Sequence, residues 1–457
     1  RVASRGLGDV YKRQFLYSIV ITTTSSIIYE SKLEVIFFGA ILGSFLFWRS
    51  ELISFKKNKT YFHILLLSVL LCAIYGIIIH FKFPEQVLWA DRYTEAYEGR
   101  LRSTYICPNH FAHLIQMILP FLFCYLFIKR KILSLKLLSI YSIIIFIPTL
   151  FFTESRAGWL GGILSLSVLV CLFALKKSKR LFYFILFATP LTAILILLFS
   201  WNYSETFQRR MAPVVEFLQG QVEGGIGSES KDFRPQTWSD TINMIKDKPI
   251  IGHGPGSYNY TFPPYRETFK GERIITGHPH NEYLELISDY GLVGFLLFSI
   301  GWITTLVLLI RNSLMSIDNK HKFIGFAGIS MIAGTMVHSF FDFQMHIYPN
   351  AMVFAFLIAI SLSPQELSNS NNIKNSKKNN KYFLSILFII YFIGLIFCIQ
   401  SMTSSFYRAS SELKFTPSAS NNNQSLSLIN QSIKIDPSNW RAYKQLGKIE
   451  SNNRYYN

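Results

Sequence analysis

The chain has 457 residues, of which 50% are hydrophobic and 16% charged, and its formal net charge is +18. This composition excludes an ordinary soluble domain, and the apolar residues form continuous blocks long enough to cross about 30 Å of hydrocarbon as helices. The basic excess suits the cytoplasmic loops of a membrane protein, and no basic stripe with interleaved aromatic residues indicates nucleic-acid binding.

The chain begins with a polar segment, residues 1–14, that has no initiator Met and no signal-peptide core. We interpret it as a foreign or disordered N-terminus. Apolar blocks then recur through residues 15–400, so the predicted fold class is all-α, a polytopic membrane protein of about 11 transmembrane helices. The blocks lie near 15–29, 33–48, 62–81, 111–128, 133–152, 157–175, 181–200, 287–310, 323–341, 348–363 and 382–400.

Lysine and arginine mark alternate loops, which predicts the orientation of the chain. The basic clusters lie at 49–59, 129–136, 176–180, 311–322 and 374–381. The N-terminus is then cytoplasmic and the C-terminal tail extracytoplasmic. Two long segments, 82–110 and 201–286, also lie outside, and long loops carry function more often than short connections do.

The polar tail, residues 401–457, contains a pattern typical of the junction between two tetratricopeptide repeats. Ser432-Ile-Lys-Ile-Asp-Pro437 is followed by Ala442-Tyr443 and Leu446-Gly447. Such repeats are stable only when about three of them stack, so the pattern predicts an incomplete array. The alternative is an unrelated amphipathic helix pair.

Two of the predicted outer segments contain arginines suited to an anionic ligand. Ser155 and Arg156 stand at the outer mouth of a helix, where an arginine is costly unless it is paired. Its alternative role is a membrane-interface anchor. Arg234 opens a helical stretch that runs into Gly-His-Gly-Pro-Gly-Ser, where Gly254 and Gly256 would let backbone amides approach an anion. A plain turn is the alternative for these glycines.

A third outer segment, Gly-His-Pro-His-Asn-Glu-Tyr, contains the candidate base. His280 stands at a membrane boundary beside Asn281 and Glu282, which are placed to orient its ring, and a histidine there is suited to general-base catalysis. A structural histidine is one alternative. A metal site is another, with candidate ligands His278, His280, His338, Asp342 and His346.

These residue types together suit one chemistry. Arginines neutralise a diphosphate and stabilise a leaving group, and the histidine takes a proton from an attacking hydroxyl. The sequence contains no Asp-x-Asp, so we expect transfer without a metal and without a cofactor.

The motifs SRAGW, RPQTW with GHGPGSY, HPHNEYLELISDYGLVG and HSFFDFQMH resemble those of the O-antigen ligase/polymerase superfamily, over roughly residues 100–365. The resemblance implies a GT-C-type fold with a large periplasmic loop, here 201–286, in the bacterial inner membrane. It implies inverting transfer from an undecaprenyl-diphosphate-linked glycan. By motif, Arg156 and Arg234 would bind the diphosphate and His280 would be catalytic. Apart from the resemblance, we expect five further residues to support the site, namely Ser155, Gly254, Gly256, His278 and Asp342.

Several assignments stay open at the level of sequence. The acceptor is lipid A core, another glycan or, for a protein O-oligosaccharyltransferase, a Ser/Thr side chain, and the tail suggests a protein partner. A polysaccharide or lipid-glycan transporter is the alternative from another class. Transporters tend to have internal repeats and broken helices near the midplane, whereas the polar residues here lie at one membrane face.

Overall fold

A computed structural model gives the architecture of the protein. It describes residues 2–51, 55–82, 86–87, 90–91, 97–128, 133–186, 208, 233–267 and 276–362, and most of 403–456. Within these residues the only β-structure is a two-residue antiparallel pair, Gln86–Val87 (β1) with Ala90–Asp91 (β2). The predicted all-α fold class is confirmed.

Helices occupy most of the predicted apolar blocks. In chain order they are α1 (Val2–Thr22), α2 (Ile28–Glu51), α3 (Phe55–Lys82), α4 (Pro108–Phe127), α5 (Leu133–Phe152), α6 (Arg156–Lys177), α7 (Arg234–Asp247), α8 (Tyr258–Thr261), α9 (Glu282–Met315), α10 (Asn319–Phe341), α11 (Tyr348–Ser361), α12 (Asn423–Ile435) and α13 (Trp440–Tyr456). Six of these described helices are long and apolar enough to cross a membrane, and two shorter ones are also apolar. Of the remaining predicted blocks, 181–200 lies mostly and 382–400 wholly outside the described residues.

The N-terminal boundaries differ from the prediction. Residues 2–14 are the first turns of α1 rather than a disordered segment, and Gln14 Nε2 donates to the carbonyl of Leu297 at 2.8 Å. The helix ends at residue 22 because the hydroxyls of Thr23 and Thr24 donate back to the carbonyls of Val20 and Ile21. Such local hydrogen bonds compete with helix continuation, so the predicted block 15–29 is interrupted.

The centre of the bundle is formed by α4 and α10, which are buried on most sides and pack against α6. Glycines allow this close approach. A Cβ on Gly334 of α10 would lie 2.5 Å from the carbonyl oxygen of Gly161 in α6, and a Cβ on Gly161 would lie 2.6 Å from the Gln116 amide of α4. The three helices therefore form a rigid support for the polar residues at their ends.

Helix α9 is broken at Gly291, where φ is 66° and ψ is −176°. The amides of Leu292 and Val293 bond to the carbonyls of Pro249 and Ile250 at 2.8 and 3.3 Å. A Cβ on Gly291 would lie 2.2 Å from the Ile250 oxygen, so only glycine fits this junction.

The described loops between helices gather at two ends. Loops 97–107 and 153–155, the segments 233–267 and 276–281 and the turn 342–347 meet at one end, which is called the outer-loop end because these segments are predicted to lie outside. The turn 23–27, which lies within a predicted apolar block, is at the same end, where the Ser26 amide donates to the His253 carbonyl at 3.2 Å. At the other end Lys176 Nζ bonds Asn319, and Arg49 bonds the Leu362 carbonyl. The orientation of these two ends in the membrane stays a prediction from the basic loops.

The described part of the tail reaches the outer-loop end. Arg441 Nε lies 3.0 Å from Glu30 Oε1, and its guanidinium donates to the Tyr260 hydroxyl at 2.7 Å. Helices α12 and α13 pack around Ile429, Ala442 and Ile449. The tetratricopeptide assignment stays a prediction.

Candidate active site

A hydrogen-bonded histidine–aspartate pair lies at the outer-loop end of the bundle. His280 directly precedes the α9 N-cap, and Asp342 directly follows α10. His280 Nδ1 lies 2.9 Å from Asp342 Oδ1, and Asp342 is fully buried whereas 21% of the His280 side chain is exposed. An ionised carboxylate only accepts hydrogen bonds, so Nδ1 carries a proton, and in the neutral ring Nε2 then presents a lone pair.

Asp342 is held in its ionised form. Burial alone would raise the pKa of this carboxyl. The hydrogen bond and charge of His280, with the charges of Arg234 and His110, outweigh burial and hold the pKa well below its usual range. The backbone amide of Phe343 also donates to Oδ1 at 3.0 Å. The pair therefore has the arrangement of a base whose ring is oriented by a buried carboxylate.

Aromatic rings fix the plane of the His280 ring. Phe233 and Phe343 contact it edge to face, with ring centroids at 5.0 and 4.9 Å. Phe343 also stacks on His278 at 4.0 Å. These contacts leave few orientations for the imidazole, which is the pre-organisation that proton transfer requires.

The two predicted diphosphate-binding arginines are each the first residue of a helix. Arg234 begins α7, and its Nε donates to the Phe341 carbonyl at 2.9 Å, one residue before Asp342. Arg156 begins α6, where the Ser155 hydroxyl caps the helix by accepting from the Gly158 amide at 3.1 Å. Helix N-termini attract anions, so each arginine adds its charge to a favourable backbone field.

Arg100, which was not singled out in the sequence, connects the loop before α6 to Asp342. Its Nε donates to the Thr153 carbonyl at 2.9 Å, and a terminal nitrogen donates to Asn109 Oδ1 at 2.6 Å. Asn109 Nδ2 then donates to Asp342 Oδ2 at 2.6 Å. Its signal in the sequence was a pair of arginines, Arg100 and Arg102, a few residues before a helix whose first turns carry the polar residues Asn109, His110 and His113.

Asn281 and Glu282, which were predicted to orient His280, have other hydrogen-bond partners in the structure. The Asn281 side chain is the α9 N-cap and accepts from the amides of Tyr283 and Leu284 at 3.0 and 3.1 Å. Glu282 Oε1 accepts from the Met345 amide at 2.6 Å. The Asn281 side chain thus satisfies free amides at the start of α9, whereas the Glu282 side chain bonds to the turn that contains Met345. The orienting residue is Asp342, 62 positions further along the chain.

The Gly-rich turn is folded inward rather than towards a ligand. The Gly254 amide donates to the Asp289 carbonyl at 2.9 Å, and the Gly256 amide donates to Asp289 Oδ2 at 2.7 Å. Both glycines have positive φ, 114° and 63°. The amides of both glycines therefore bond to Asp289 of α9, and their supporting role towards a diphosphate stays a prediction.

A second polar cluster surrounds His346. His278 Nδ1 lies 2.6 Å from Glu285 Oε1, and His346 Nδ1 lies 3.1 Å from Glu282 Oε2. Burial alone would lower the pKa of His346, but the charges of Glu285 and Glu282, with that of Glu34, raise it well above its ordinary value. A protonated His346 therefore supplies the cation that the carboxylates require.

The predicted metal-ligand set divides into separate groups. His278, Glu285 and His346 lie close enough to share an ion, and so do Cys107, His110 and Asp342. His338 belongs to neither, because its ring nitrogens contact Gln116 and Gln344 at 2.8 and 2.9 Å. In the first group His278 bonds Glu285 directly, and in the second Asp342 is bonded to His280 and Asn109. An ion would have to displace these contacts.

A cavity of about 460 Å³ opens below the His346 cluster, between α2, α9, α10 and α11. Its walls are largely aromatic, with Phe37, Phe45, Phe298 and Trp302 among them, and Glu285 lines its polar end. The size and lining are typical of a site for an apolar group.

The fold and site together define a multi-pass, all-α membrane protein that carries a His–Asp pair and two arginines at one end of its bundle. Residues 141–299 match the sequence family described as O-antigen ligase, a span that includes Arg156, Arg234 and His280. The resemblance inferred from the motifs is thereby confirmed over these residues.

The chain is also similar to an uncharacterised protein of Haemophilus influenzae. The two are 25% identical over 190 residues, which is 41% of this chain. The match spans 46% of that relative, so just under half of its length is covered.

Proposed function

We propose that the protein transfers a glycan from undecaprenyl diphosphate to an acceptor hydroxyl at the periplasmic face of the bacterial inner membrane, without a metal. The observation that carries this proposal is the His280–Asp342 pair at 2.9 Å, with Arg234 bonded to the neighbouring Phe341 carbonyl. The match of residues 141–299 to the O-antigen ligase family supports the same class of reaction.

In the proposed reaction, His280 Nε2 takes the proton from the acceptor hydroxyl as its oxygen attacks the anomeric carbon of the donor sugar. The new carbon–oxygen bond forms while the bond to the diphosphate breaks, and that electron pair leaves on the diphosphate oxygen. A single displacement inverts the anomeric carbon. Asp342 stays ionised and stabilises the imidazolium that results.

The leaving diphosphate gains negative charge, which Arg156 and Arg234 would neutralise with the two helix N-termini that they begin. Cations fixed before the reaction stabilise this charge without reorganisation. They supply what a divalent ion supplies in metal-dependent transferases, so the proposed reaction needs none.

The acceptor would be a hydroxyl of lipid A core, of another glycan or of a protein. The Arg441–Glu30 contact supports a role for the tail in presenting it, because Glu30 is one helical turn from Glu34, which lines the cavity. A partner bound to the tail would lie near the site.

The test compares two histidine–aspartate pairs at opposite ends of the bundle. His280→Ala should lower transfer of labelled lipid-linked glycan about 10²–10⁴-fold and leave donor binding nearly intact. The control is His321→Ala, since His321 Nδ1 lies 3.0 Å from Asp318 at the other end. If His280→Ala transfers glycan as fast as His321→Ala, His280 has no role in the reaction.

A further inference from the structure

Three segments of the outer-loop end have a strained backbone. Among the described residues, the non-glycine residues with positive φ are Ser103 at 55°, Glu154 at 51° and His280 at 51°. This conformation is costly for a residue with a side chain, so it persists only where surrounding contacts impose it. The three residues lie in three different segments, namely the loop before α4, the loop before α6 and the turn before α9.

Arg100 and Asn109 connect these three segments through hydrogen bonds. Arg100 fixes the α6 loop through the Thr153 carbonyl at 2.9 Å, and one of its terminal nitrogens also lies 3.5 Å from the Glu154 carbonyl. The same guanidinium contacts Asn109 at 2.6 Å. Asn109 in turn donates to Asp342 at 2.6 Å, and Asp342 holds His280.

The chain of contacts is directional and buried. Arg100 is 8% exposed, Asn109 is 8% exposed and Asp342 is fully buried, so water does not substitute for these partners. The Arg100 cation binds the Asn109 oxygen, which turns the amide nitrogen towards Asp342. A guanidinium reaches Thr153 and Asn109 at once because its donors form a planar fork, whereas an ammonium is a single point charge.

We propose that Arg100 is a positioning residue that couples the loop presenting Arg156 to the orientation of His280. The coupling rests on the proposed function, in which Arg156 binds the donor diphosphate and His280 is the base. Movement of the 153–155 loop would pass through Arg100 and Asn109 to Asp342. The base would then be aligned when the loop is in its diphosphate-binding position, and displaced otherwise.

The first experiment measures transfer of labelled undecaprenyl-diphosphate-linked glycan across a pH series, in membranes that contain the native acceptor. Arg100→Ala should lower the rate about 10- to 100-fold. Arg100→Lys should recover only part of it. A displaced Asp342 carboxylate no longer stabilises the protonated ring, so the acidic limb of the rate profile should move to lower pH, whereas loss of the Arg100 cation with the His280–Asp342 contact intact would move it to higher pH.

A double variant separates coupling from a purely structural role. If Arg100 acts through Asp342, then adding Arg100→Ala to the Asp342→Asn variant should lower the transfer rate by less than about twofold. The matched control is Tyr105→Phe, because Tyr105 donates to Asn350 at 2.8 Å from the same loop but outside the chain of contacts. It should leave the pH profile unmoved. Multiplicative losses in the double variant, or an unmoved profile in Arg100→Ala, would overturn the proposal.

A spectroscopic measurement keeps the coupling testable apart from activity. In full-length protein labelled with ¹⁵N-histidine and held in lipid nanodiscs, the His280 signals are assigned by His280→Gln. The wild type should show the tautomer protonated at Nδ1, and Arg100→Ala should show a mixture. An unchanged tautomer rules out the coupling. A changed tautomer in a protein that transfers no glycan would leave the coupling standing and reject the proposed function.

Discussion

Asp342→Asn tests the central feature of the site with little change in shape. The substitution removes a buried charge that accepts from His280 Nδ1 at 2.9 Å and from Asn109 Nδ2 at 2.6 Å. A hydrogen bond to a charged group contributes about 1.5–3 kcal/mol, so its loss alone slows a reaction about 10- to 150-fold.

A second effect adds to this loss. An asparagine can present its amide nitrogen to His280 Nδ1, which would then accept, so the proton moves to Nε2 and the base is blocked. The combined decrease in transfer should reach about 10²–10⁴-fold. Donor binding should change little, because the arginines are untouched.

The assay follows turnover of labelled lipid-linked glycan by the purified full-length protein, beside binding of the same donor. Asp318→Asn is the matched control, since it breaks the other histidine–aspartate contact at the opposite end. A variant that keeps more than about a third of wild-type turnover would refute the role assigned to Asp342. Thermal unfolding should accompany the assay because Asp342 is buried.

Three further predictions concern charge, metal and orientation. Arg156→Ala or Arg234→Ala should weaken the reaction with the donor by about 1.5–3 kcal/mol, and Lys at either position should restore part of this loss. Full activity in both Ala variants would exclude the two arginines from the site. Purified protein should keep full transfer activity in EDTA, and His278→Ala should lower the transfer rate less than His280→Ala does. Inactivation by EDTA that one divalent ion reverses would contradict the metal-free mechanism. An impermeant thiol reagent should label a cysteine at Gly277, where a Cβ meets open space, but not one at Ser178. These two introduced cysteines give the clearer readout because Cys107 is buried, and the reverse pattern would invert the proposed topology.

The fold followed from the sequence because apolar block length is a direct physical signal. In lipid a helix satisfies its own backbone, so a long apolar block such as Pro108–Phe127 has few alternatives. The break of α1 at Thr23 was missed, because it depends on two hydroxyls that bond backward within a block of suitable length. The sequence therefore predicts where each helix lies along the chain better than it predicts the residues at which the helix begins and ends.

The candidate site was predictable in its residue types but not in its pairing. His280 and the two arginines were identified because polar residues at a membrane boundary are costly. The partner of His280 was assigned to its sequence neighbours, yet it is Asp342, which only the packing of α9 against α10 brings near. Arg100 was missed for the same reason, since its contacts span three segments distant in sequence.

The break in α9 has a consequence for how this protein can be re-engineered or can diverge. The amides of Leu292 and Val293 complete the hydrogen bonding of a membrane helix with carbonyls from Pro249 and Ile250. Those two carbonyls thus take the place of acceptors that an unbroken helix would supply itself. A substitute segment whose backbone follows a different path at 249–250 would leave two amides unsatisfied at the break, at a cost of several kcal/mol each in lipid. Chimeras should therefore take this segment and α9 together as one module.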